Sequence, residues 1–152
     1  WGFSGTAAVP GDYNGDGIDA LAVFHAATGN WYIRTLAGAV LAYQQNWGFA
    51  GCTPVSGDYN GDGVYDLAVY YAASGAWFIR SLSGSVYAYQ LNWGGAGFVP
   101  VPGDFNGDDV SDLAVYQSSS GNWFIWSLSA GAPLLWNNNW GWSAAEPVGI
   151  QK

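Results

Sequence analysis

The chain has 152 residues, half of them apolar and 18% aromatic, which suits one folded domain with a sizeable core and excludes a disordered tail. Only 9% are charged, with three Lys and Arg against eleven Asp and Glu, so there is no basic stripe to hold nucleic acid. No apolar run approaches the roughly twenty residues that a membrane-spanning helix needs.

The chain opens W-G at Trp1 with no initiating Met, as a processed or excised piece is expected to. W-G returns at Trp47, at Trp93 and, one residue late, at Trp140. Self-similarity at a fixed period is the signature of a stacked repeat architecture. The chain therefore divides into repeats 1–46, 47–92 and 93–139, with a partial fourth at 140–152. The extra residue of the third repeat falls near Ala130-Gly131-Ala132.

Each repeat reads as four short strands. In the second, residues 53–56 enter an acidic loop and residues 66–71 leave it. Ala73-Ser74-Gly75 turns, 77–82 is the third strand, Ser83-Gly84 turns again, and 86–93 is the fourth. Short runs rich in β-branched and aromatic residues, bounded by Gly, Ser and Asn, are strand signals, and no helical period competes with them. Trp77 and Ile79 point to one face and Phe78 to the other. Sheets apolar on both faces are covered on both faces, as stacked blades would be.

The acidic loops hold ten of the eleven carboxylates. They read D-Y-N-G-D-G-I-D-A from Asp12, D-Y-N-G-D-G-V-Y-D from Asp58 and D-F-N-G-D-D-V-S-D from Asp104, at a spacing of 46. Carboxylates this close repel one another unless a cation neutralises them. Oxygens alternating with turn formers curl a loop around a hard cation such as calcium. The expected ligands are Asp12, Asn14, Asp16 and the Ile18 carbonyl in the first loop. In the second they are Asp58, Asn60, Asp62, the Val64 carbonyl and Asp66. In the third they are Asp104, Asn106, Asp108, the Val110 carbonyl and Asp112. The first loop has Ala20 at the ninth place and Asp19 one place early, so it is expected to be the weakest. The third has Asp109 where the others have a bend glycine, in a left-handed position that Asp tolerates better than most residues.

Residues 54–70 (P-V-S-G-D-Y-N-G-D-G-V-Y-D-L-A-V-Y) and 99–116 (V-P-V-P-G-D-F-N-G-D-D-V-S-D-L-A-V-Y) resemble the FG-GAP-like or VCBS repeat. The resemblance recurs in phase over nearly the whole chain. It implies an all-β fold of β-propeller blades, with calcium in the loop between the first two strands of each. It also implies an extracellular setting, secreted or on the cell surface, and specifies no activity. Propellers have typically four to eight blades. Three therefore leave the ring open-ended or completed by oligomerisation. A β-trefoil, also with four strands per repeat, is the alternative.

Ten Trp invite a sugar site, because an indole stacks on a pyranose and donates from its N–H. Most recur in phase, at Trp1, Trp47, Trp93 and Trp140 and at Trp31, Trp77 and Trp123, and are expected in the core between blades. Trp126, Trp136 and Trp142 break the pattern and form the candidate ligand or contact patch. Asn137-Asn138-Asn139 reads as a polar turn, and Cys52 as a small packed residue. With the Asp residues committed to the loops and Glu146 isolated, no carboxylate pair is left for acid–base chemistry, and no enzyme is expected. The functional expectation is an extracellular calcium-binding repeat module for recognition or adhesion, with a glycan as ligand. The alternative is a structural subunit that self-associates head to tail, through its repeat-like ends, into an extracellular filament.

Overall fold

The structure is a computed structural model that describes residues 2–147. Strands β1 (Thr6–Ala8), β2 (Leu21–His25), β3 (Asn30–Arg34) and β4 (Val40–Asn46) form one antiparallel sheet in chain order. Strands β5 (Cys52–Pro54), β6 (Leu67–Tyr71), β7 (Ala76–Arg80) and β8 (Val86–Asn92) form the second. The third contains β9 (Phe98–Pro100), β10 (Leu113–Gln117), β11 (Asn122–Ser127) and β12 (Ala132–Asn139). The fold is thus all-β, one four-stranded meander per repeat, with every strand pair next to its chain neighbour. The partial fourth repeat is described only as far as residue 147, and 148–152 lie outside the described residues.

Register fixes the two faces of each sheet. Tyr70 pairs with Trp77 and Ala68 with Ile79 on one face, while Val69 pairs with Phe78 and Leu67 with Arg80 on the other. The first face of sheet 1, with Phe24, Trp31 and Ile33, packs on Leu67, Val69 and Phe78 of sheet 2. The first face of sheet 2, with Tyr70, Trp77 and Ile79, packs on Leu113 and Val115 of sheet 3. Two core clusters therefore join three sheets in a row. Among the described residues neither cluster joins sheet 1 to sheet 3, and the three sheets form no closed ring.

The hairpin turns make the joints between repeats. Gly29, Gly75 and Gly121 have φ of 73°, 73° and 76°, a region that L side chains enter only with strain. A Cβ on Gly29 would lie 2.2 Å from the carbonyl of Gly48, so the turn and the next repeat's W-G meet backbone to backbone. There Trp47 N–H donates to the Gly29 carbonyl at 2.9 Å, and Trp93 N–H to that of Gly75 at 2.8 Å.

One expectation is corrected. Asn137-Asn138-Asn139 is not a turn but the end of β12, where Asn138 pairs with Trp123 and Asn139 with Asn122. Asn137 has φ 57°, matching Gln44 at 54° and Gln90 at 56° in the earlier repeats. Each marks a bulge in the fourth strand, and Asn is among the residues that accept this conformation. The signal was a shared backbone position occupied by different polar residues.

Candidate metal centre

Each acidic loop joins the first two strands of its sheet. Its base is closed by a bridge, Gly11 with Ala20, Gly57 with Asp66 and Gly103 with Asp112. The first Asp then organises the loop from inside. Asp58 accepts from the N–H groups of Asn60 and Gly61 through Oδ1, and from that of Gly63 at 2.7 Å through Oδ2. Asp12 does the same with Asn14, Gly15, Asp16 and Gly17. At Asp12 desolvation by burial pushes the carboxyl up, but the N–H donors together outweigh it and hold the carboxyl below its ordinary range. Asp104 is lowered in the same way, against the same push from desolvation, by the N–H groups of Gly107, Asp109, Asp108 and Asn106.

The fifth-place Asp closes a second ring of bonds. Asp62 Oδ1 accepts from Val64 N–H at 2.9 Å, and its Oδ2 from the Asn60 amide at 2.9 Å. Asp16 has the same partners in Ile18 and Asn14, and Asp108 in Val110 and Asn106. Asp108 also accepts from Ser129 Oγ, which ties the third loop to the β11–β12 turn and helps to lower its carboxyl.

The ninth-place Asp lies under the loop. Asp66 Oδ2 accepts Tyr59 N–H, and Asp112 Oδ2 accepts Phe105 N–H, each at 2.9 Å. Both side chains are buried. Burial pushes Asp66 up to about 7, with the Tyr59 N–H acting against it and the charges of Asp62 and Asp58 adding to it. Asp112 is also raised, chiefly by burial. Among the described residues, Asp112 Oδ1 is buried with no hydrogen-bond partner. An ionised oxygen left so is costly unless a proton or a cation meets it.

The donor chemistry suits a hard cation: carboxylate, amide and carbonyl oxygens, with one orphaned buried oxygen. The donors are not drawn into a closed set, however. Among the described residues no three His, Cys, Asp or Glu side chains stand close enough to hold a metal ion. The bonds to Val64 N–H and the Asn60 amide occupy oxygens that a cation would take. Asn60 presents its NH2 to Asp62 and to Tyr87 Oη, at 2.9 and 2.7 Å. An open groove of about 440 Å³ beside this loop is lined by Tyr13, Asn14, Asp62, Val64, Asp66 and Ser81.

The first loop keeps the common register. Ala20 takes the bridge position of Asp66 and Asp112 and is buried, while Asp19 stays exposed. This loop therefore has no buried ninth-place carboxylate. In the third loop Asp109 has φ 63°, the left-handed conformation expected of it.

Five of the in-phase Trp residues fasten repeats together, whereas Trp140, expected in the core, is 83% exposed because no sheet follows it among the described residues, and Trp1 lies outside them. The indoles of Trp31, Trp77 and Trp123 donate to the carbonyls of Trp47, Trp93 and Trp140 at 2.8, 2.9 and 3.0 Å. Those of Trp47 and Trp93 donate to the carbonyls of Phe78 and Phe124. The Arg80 guanidinium lies 5.2 Å from the ring centre of Trp47, and Trp126, in the matching position, packs 5.3 Å from Trp93. Trp136 also meets Trp93, at 5.5 Å, with most of its surface exposed. Trp142 is held by its carbonyl to Tyr116 Oη on the opposite face of sheet 3. The structure thus brings Trp126 and Trp136 together but not Trp142. Cys52 is a buried free thiol in the first core cluster, pushed up by burial.

One exposed cluster escaped the sequence reading. Phe3 and Tyr43 each pack edge-on against Tyr32, with ring centres 5.5 Å apart, on the outer face of sheet 1. The second repeat carries the same set, with Phe49 and Tyr89 edge-on against Phe78 and themselves 40% and 66% exposed, so the cluster belongs to the repeat and not to the end of the row. Comparison of the chain with family models, curated proteins and solved structures returns no match.

Proposed function

We propose that the chain is a non-catalytic, calcium-binding β-repeat module of the FG-GAP-like or VCBS kind, working outside the cell in recognition or adhesion. The observation that supports this best is the buried ninth-place carboxylate, Asp66 or Asp112, under an acidic loop with oxygen donors at alternate places. In the second loop Asp58, Asn60, Asp62, the Val64 carbonyl and Asp66 hold the ion. Asp104, Asn106, Asp108, the Val110 carbonyl and Asp112 do so in the third. Bound calcium supplies the positive charge that lets the buried carboxylate stay ionised, and so fastens the first hairpin of the blade to its loop. The ligand class is carbohydrate, met by exposed indole at Trp136 against the aromatic floor of Trp93 and Phe124.

Calorimetric titration with calcium tests the first part. Binding and an EDTA-reversible rise in Tm are expected, and no heat at millimolar calcium would end the metal reading. A glycan array run with the chain and with Trp136→Ala tests the second. A hit that the substitution removes supports it; an array without hits rejects it.

A further inference from the structure

The two ends of the row wear the two halves of an interface that the chain already makes twice. At the first joint, Tyr13 of sheet 1 is buried against sheet 2 together with Leu67. At the second, Tyr59 is buried against sheet 3 together with Leu113. The matching aromatic of sheet 3 is Phe105, which is 47% exposed where Tyr13 and Tyr59 are 2% and 3%. The matching leucine of sheet 1 is Leu21, 46% exposed where Leu67 and Leu113 are both 0%. Leu134 is likewise exposed, while Leu41 and Tyr87 in its place pack against the two core clusters. Phe105 and Leu21 match residues that are buried wherever another sheet follows or precedes them, and Leu134 matches residues that are half-buried there.

The polar groups of the joint repeat as well. Tyr65 N–H donates to the Asp12 carbonyl at 2.7 Å, and Ser111 N–H to the Asp58 carbonyl at 2.6 Å. The series continues with the Asp104 carbonyl at one end of the row and the Asp19 N–H at the other. The indoles of Trp47 and Trp93 reach the carbonyls of Phe78 and Phe124. Trp140 stands in the same phase, is 83% exposed, and has its counterpart acceptor in the Tyr32 carbonyl of a following sheet. After Trp140 the chain repeats the turn that opens each blade: Ala145 N–H donates to the Trp142 carbonyl at 3.1 Å, as Phe98 does to Gly95 and Cys52 to Phe49, both at 3.2 Å.

We infer that the outer face of sheet 3, around Phe105 and Trp123, docks on the outer face of sheet 1 of a second copy of this chain, around Leu21 and Tyr32. The contact is heterologous, using different surfaces on the two copies, so it closes into a ring or extends as a filament according to the rotation per step. The inference rests on packing, not on calcium, and a failed metal titration leaves it standing.

Sedimentation over a range of chain concentrations tests it, with Leu21→Lys and Phe105→Lys as variants. Both positions are half-exposed, so each variant is expected to unfold in a single cooperative urea transition at a midpoint modestly below that of the dilute parent, which verifies folding. The parent is expected to gain mass with concentration, and each variant alone to remain a monomer. Mixed together, the variants are expected to form a 1:1 dimer and nothing larger, because each retains the face that the other has lost. A parent that stays monomeric overturns the inference and leaves the two faces to some other partner. A single variant that still assembles, or a mixture that gives no dimer, overturns it too.

Discussion

Leu21, Leu67 and Leu113 occupy one position of the repeat and differ only in what covers them. Leu67 and Leu113 have no exposed surface, and each lies in a core cluster between two sheets. Leu→Ala there removes the transfer free energy of the lost methyl groups and leaves a cavity, for about 2–5 kcal/mol. Leu21 is 46% exposed, so water fills the vacated space. With full burial of a Leu contributing about 1.5–3 kcal/mol and roughly half of it forfeited at this site, Leu21→Ala should cost about 1 kcal/mol. Urea unfolding followed by Trp fluorescence and far-UV circular dichroism measures all three, at a concentration where sedimentation gives a monomer. Coincidence of the two probes verifies that one free energy describes the transition. Equal losses at the three positions would refute the reasoning, because Leu21 would then be covered as its counterparts are.

Further outcomes follow from the loops and turns. In the metal-free chain the Asp66 carboxyl titrates near 7 against an ordinary 3.8. A carboxyl raised in the folded state favours folding below about pH 4 and loses that advantage as pH rises through 7. The loss is at most about 4 kcal/mol, by 1.36 kcal/mol per pH unit. Asp66→Asn should flatten that part of the stability profile, raise metal-free stability at pH 8, and shrink the calcium-induced rise in Tm; an unchanged profile would show that Asp66 is not the group. Gly29→Ala forces a Cβ into the backbone of Gly48, whereas Gly17→Ala, at φ 79°, meets nothing within 4 Å. Gly17→Ala should therefore cost about 1–2 kcal/mol for its left-handed backbone alone, and Gly29→Ala clearly more, as urea midpoints will register. Asp109→Gly relieves φ 63° and removes one charge from the third loop. A gain of about 1 kcal/mol is expected, and a loss would show that the Asp109 side chain makes a contact worth keeping.

The sequence by itself determined the repeat, its 46-residue period and its four strands, because each depends on neighbours a few residues apart. Gly, Ser and Asn end the strands, and aromatic and β-branched residues fill them. The expected strand 86–93 became β8 within one residue. The donor types of the loop were equally local, since Asp58 needs only Asn60, Gly61 and Gly63 to curl the chain around it. Three matters belonged to tertiary structure. Asn137 is a bulge because β11 sets its register across the sheet, which no run of three Asn can announce. Asp66 and Asp112 differ from Asp19 in burial, because the bridge to Gly57 or Gly103 carries them under the loop while Asp19 falls outside it. Lastly, identical phases receive different surroundings: Tyr13 and Phe105, or Leu67 and Leu21, are equivalent in the chain and opposite in exposure. A repeat pattern states which face wants a neighbour. Whether a neighbour stands there depends on where the row of sheets begins and ends, and burial energy follows from that alone.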